Sequence, residues 1–151
     1  LNQHKFDQDC TEDNELQTNI IATLKESIRL PGRMICLLHP WTDPIPFRRV
    51  WCLFELHTAL ELGATIFMHL PPQDAEGFFS KLRKDGMATN SGPLLPTINA
   101  SQAEASVESD RVRIFRDITQ QKTMMEFNTE LKQYLEQALR ALATGAVRQK
   151  M

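Results

Sequence analysis

The chain has 151 residues, enough for one domain with a buried core and too few for two. Hydrophobic residues make up 42% and charged residues 24%, an ordinary balance for a globular chain, and no apolar run reaches membrane-spanning length. A formal net charge of −2 leaves no electrostatic case for nucleic acid or an anionic membrane surface as partner.

In chain order, residues 1–13 are polar and acidic around Phe6 and read as a loop. The first residue is Leu1 rather than Met, so the chain reads as a piece of a longer polypeptide, with an N-terminal strand and helix expected to be missing. Residues 14–30 place Leu16, Ile20, Ile21, Leu24 and Ile28 at three-to-four spacing, which predicts a helix. Asp13 or Asn14 is its expected cap, and Pro31-Gly32 ends it. The short apolar run 33–39 predicts a strand buried on both faces. Three prolines in 40–47 exclude regular structure from that loop. A helix follows over 48–62 with Gly63 as its C-terminal stop, then a second buried strand over 64–70. A short helix is predicted at 74–84, a loop with a brief strand near Leu94–Ile98 at 86–99, a helix at 108–121 and a last helix at 124–143. Residues 1–145 thus form the domain, and 146–151 a frayed basic tail.

This alternation of helix and strand predicts an α/β fold with a parallel sheet flanked by helices, the helix at 48–62 making a right-handed crossover. Ligands of such sheets bind beyond the carboxyl ends of the strands, where His39, Trp41 and the start of the 48–62 helix emerge. Within that helix, Arg49-Val50-Trp51-Cys52-Leu53-Phe54-Glu55-Leu56 sets one carboxylate among bulky apolar groups. A lone acid there is costly to desolvate, which makes Glu55 the first candidate for chemistry, with Trp51 one turn away on the same side. Cys10, Cys36 and Cys52 are odd in number and lack CxxC spacing, so they read as reduced thiols of a cytosolic protein. His39 and His57 are not at ligand spacing with a cysteine or another histidine, so no metal site is expected. There is no glycine-rich phosphate loop and no Ser-His-Asp signature.

A buried strand, a loop, Trp51-Cys52-Leu53-Phe54-Glu55-Leu56 opening a helix, and a second apolar strand together resemble the Toll/interleukin-1 receptor (TIR) domain. Asn2-Gln3-His4, Pro40-Trp41-Thr42-Asp43-Pro44 and Arg49 to Glu55 further resemble TIR-like modules of large algal and protist proteins and, distantly, fungal heterokaryon-incompatibility domains. The resemblance implies a flavodoxin-like sheet and a self-associating signalling module of a larger cytosolic protein, its partners being further copies or other domains of the parent. In members that hydrolyse NAD, the motif glutamate is catalytic, and the matching position is Glu55. NAD would be substrate, and no cofactor is implied. The sequence departs from the enzymatic pattern at Arg49, where those members usually carry Ser.

Each candidate has a plainer reading. Glu55 either stabilises an oxocarbenium-like state or forms an ion pair with Arg48 or Arg49 that pins the 40–47 loop. Trp41 and Trp51 either stack on a ligand ring or anchor the core. Arg49 binds a pyrophosphate or partners a carboxylate. Cys52 and His39 complete the set of expected ligand contacts. Another nucleotide-processing enzyme of flavodoxin-like fold is the alternative from a different class.

Overall fold

The computed structural model describes residues 3–85 and 98–149. Its elements are α1 (Gln3–Arg29), β1 (Arg33–Leu37), α2 (Val50–Glu61), β2 (Thr65–His69), α3 (Pro72–Asp85), α4 (Glu108–Ile118) and α5 (Met124–Gln149). Single 3-10 turns lie at Ile45–Phe47 and Ala100–Gln102. The architecture is mixed α/β and mostly helical, with one parallel pair of strands among the described residues.

Alpha2 is the centre of the molecule. Val50, Leu53, Phe54, Leu56 and Ala59 are all buried, so its apolar positions are covered nearly all round. Its chain turns back at Gly63, whose φ of 65° is a left-handed conformation that a side chain would strain. The turn closes with Ala64 N–H donating to Ala59 C=O at 2.9 Å and delivers the chain into β2. Alpha4 contributes Ile114 and Ile118 to the core, and α5 contributes Phe127, Leu131, Leu135 and Leu139 at three-to-four spacing. A reciprocal cap starts α5: Thr123 Oγ1 accepts from Glu126 N–H at 3.2 Å, and Glu126 Oε2 accepts from Thr123 N–H at 2.6 Å.

Three expectations are corrected. The loop expected over 1–13 is helical from Gln3, so neither Asp13 nor Asn14 caps α1. The last helix, expected to end at 143, is longer: α5 runs to Gln149. The third bears on function: the strands are buried on one face, not two. Cys36, Leu38, Ile66 and Met68 point into the core, whereas Ile35 is 72% exposed, Phe67 52% and Leu37 48%. A continuous apolar run cannot by itself say whether both faces are covered, and here the described helices leave one face open. The strand expected near Leu94–Ile98 falls mainly on 86–97, outside the described residues.

The hydrogen-bond register gives the two sheet edges different fates. Thr65 N–H donates to Gly32 C=O and Leu38 N–H to His69 C=O, so even-numbered β1 residues turn their backbone toward β2. Arg33, Ile35 and Leu37 therefore turn theirs outward, where no described residue pairs with them. On the far side, Ile66 N–H donates to the Tyr134 hydroxyl of α5 at 3.1 Å, so the β2 edge is shielded.

Candidate functional site

Because α2 runs back from the carboxyl end of β1, its first turn stands at the sheet edge where α/β ligands bind. The entry is held by a short parallel bridge to the 98–107 segment: Val50 N–H donates to Glu104 C=O at 3.0 Å and Glu104 N–H to Arg48 C=O at 2.8 Å. Between these segments opens a cleft of about 720 Å³, within the range of small-molecule sites. Arg48, Arg49, Trp51, Asn99, Glu104 and Asp110 are among its lining residues. Trp51 Nε1 donates to Asp110 Oδ2 at 3.1 Å and its ring meets Phe54 edge-on, so this tryptophan is tied into the wall. Arg48 lies 3.4 Å from Asp43. Two arginines thus share the lining with Asp43, Glu104 and Asp110, which leaves no excess positive charge for a polyphosphate.

Glu55 does not line that cleft. It is half-buried one turn further along α2, and burial pushes its carboxyl above the usual range while the Arg49 charge opposes the rise. Neither arginine forms an ion pair with it, and no described residue hydrogen-bonds to it. Its neighbours are two thiols. Burial pushes Cys36 up to about 12, with the charges of Cys52 and Glu55 adding to the effect. Cys52 is raised by burial and then by Glu55. Both thiols are free and held protonated, which is the opposite of a nucleophilic cysteine.

His39 and Trp41 belong to a third cluster, centred on Asp74 in the first turn of α3. His39 Nδ1 lies 2.6 Å from Asp74 Oδ2, and Trp41 N–H donates to Oδ1 at 3.1 Å. The His39 contact, followed by the Trp41 N–H, holds the buried Asp74 carboxyl below its ordinary value, so it accepts and His39 carries its hydrogen on Nδ1. The Trp41 ring packs edge-on to Phe78, with its nitrogen beside Gly77. This cluster fastens the 39–47 loop to α3.

The six candidates thus divide among three places: Arg49 and Trp51 at the cleft, Glu55 and Cys52 beside β1, His39 and Trp41 on Asp74. Sequence reasoning missed Asp74 and Asp110. The signal for Asp74 was its place three residues after Pro71, at a helix start; Asp110 carried none, since its partner Trp51 is 59 positions away. Among the described residues no group of three or more His, Cys, Asp or Glu could hold a metal ion, and no helix is long and apolar enough to cross a membrane. No protein-family model matches the chain, nor does any curated protein or solved structure.

Proposed function

We propose that the chain is a TIR-like association module of a larger cytosolic signalling protein, built on part of a flavodoxin-like sheet, which works by burying its open sheet face against a second copy. The observation that carries this reading is the exposure of Ile35, Leu37 and Phe67 side by side. Ile35 and Phe67 are register partners, so they form one patch rather than scattered apolar residues. Such a patch costs free energy in water, and association removes that cost. The cleft supports this function less well, because its tryptophan is committed to Asp110 and its charges nearly cancel. The test is sedimentation velocity over a concentration series. The wild-type chain shifts toward dimer with concentration, whereas Ile35→Lys/Phe67→Lys sediments as a monomer with an unchanged circular dichroism spectrum. A wild-type chain that stays monomeric throughout overturns the reading.

A second reading is favoured by one observation, the half-buried Glu55 carboxyl with neither hydrogen bond nor ion pair among the described residues. A carboxylate without a structural partner is free to stabilise positive charge developing on a ribose as a nicotinamide–ribose bond of NAD breaks. Nicotinamide release from NAD by the associated protein, lost in Glu55→Ala without a fall in melting temperature, supports it; no release by the associated wild type excludes it.

A further inference from the structure

The outer edge of β1 narrows what can cover the open face. Arg33, Ile35 and Leu37 direct both N–H and C=O away from β2, and no described residue receives them. The β2 edge is treated differently, since the Tyr134 hydroxyl takes the Ile66 N–H and α5 packs alongside. Natural edge strands are blunted by proline, by a bulge, by an inward charge or by a covering element. Among the described residues β1 has none of these; its only charge is Arg33, at its first residue. A row of unpaired donors and acceptors is satisfied by another strand, whereas a helix laid over the face would leave it unpaired.

We propose that two copies of this chain join edge to edge through β1, antiparallel about a twofold axis at Ile35, making one four-stranded sheet in the order β2, β1, β1, β2. This deepens the association reading and rests on it. The register follows from the backbone. Because the outward groups belong to residues 33, 35 and 37, pairing Ile35 with its own copy sets Arg33 opposite Leu37 at both ends. All three pairs are then of the hydrogen-bonded kind, each exchanging two bonds. No like charges face each other, because each Arg33 meets a leucine. The two outer faces also become continuous, and Phe67, Leu37 and Ile35 of one copy extend into the same residues of the other. A five-residue edge is short against the roughly 800 Å² per partner of a stable interface, so the dimer is weak and depends on concentration.

The register makes a specific covalent prediction. Directly opposed residues in a hydrogen-bonded antiparallel pair have Cα atoms about 5.5 Å apart, within disulfide range. The full chain carrying Ile35→Cys is oxidised beside wild type and Phe67→Cys, position 67 lying on the same face but one strand away from the axis. Ile35→Cys should give a covalent dimer, with wild type and Phe67→Cys showing at least about tenfold less. Amide exchange on wild type should meanwhile slow at Ile35 and Leu37 as concentration rises, by about tenfold or more. If the wild type dimerises yet Ile35→Cys links no better than Phe67→Cys and those amides exchange as fast as in the monomer, edge pairing is wrong and another part of the face carries association. If the wild type does not dimerise at all, the association reading itself fails.

Discussion

Glu55 is a carboxylate whose ionised form the fold disfavours. Its folded-state value lies above the ordinary 4.5, so the folded chain holds the proton more tightly than the unfolded chain does. Stability is therefore reduced as pH rises from about that value, and ionised Glu55 is a net cost at neutral pH. Glu55→Gln should raise stability at pH 7 by up to about 1 kcal/mol, with the gain vanishing toward pH 4, as read by urea titration at both pH values. His57 works in the other direction. It is buried with its ring perpendicular to that of Phe127, its Nδ1 has no partner among the described residues, and burial lowers its value from the ordinary 6.5. The unfolded chain takes up that proton first, so stability falls as pH drops below 6.5. His57→Leu should flatten the decline in melting temperature between pH 7 and pH 5; an unchanged slope would show that this imidazole does not control it. Both residues could be singled out in the sequence as polar groups on an oily helix. Their charge states could not, because those depend on how much of each is covered by elements far along the chain.

Helix periodicity made α2, α4 and most of α5 legible, because an apolar stripe at three-to-four spacing reports burial directly. Alpha1 was legible only from its middle, since Leu16, Ile20, Ile21, Leu24 and Ile28 carry the pattern while the acidic stretch before them carries none. The strands were legible as elements but not in their burial, for an apolar run reads the same whether one side or two are covered. The segment from Ile98 to Ser106 was not legible, because what orders it comes from elsewhere. Asn128 Oδ1 of α5 accepts from the wholly buried Ala100 N–H at 2.8 Å. Arg111 of α4 donates to the Ala103 and Ser101 carbonyls at 3.0 and 2.9 Å. Asn128→Ala would strand that amide without a partner, at a cost of about 1–3 kcal/mol. Asn128→Asp keeps an acceptor oxygen and should lose less, so comparing the two by chemical denaturation separates the hydrogen bond from packing. Equal losses would mean the tether is not what matters.

At the scale of the whole molecule, the described residues cover one side of the sheet and leave the other open. Alpha2 is wrapped by α1, α4 and α5, and the β2 edge is capped, while no described residue covers the outer sheet face or pairs with the β1 edge. In the proposed assembly a second copy covers this open side. Anything that binds only the folded form raises its melting temperature by mass action, and a second copy is such a ligand. The most direct measurement is the melting temperature of the chain across a wide range of its own concentration at fixed pH and salt. Association through this face gives a rise with concentration that disappears in Ile35→Lys/Phe67→Lys. A melting temperature that does not move with wild-type concentration would contradict it.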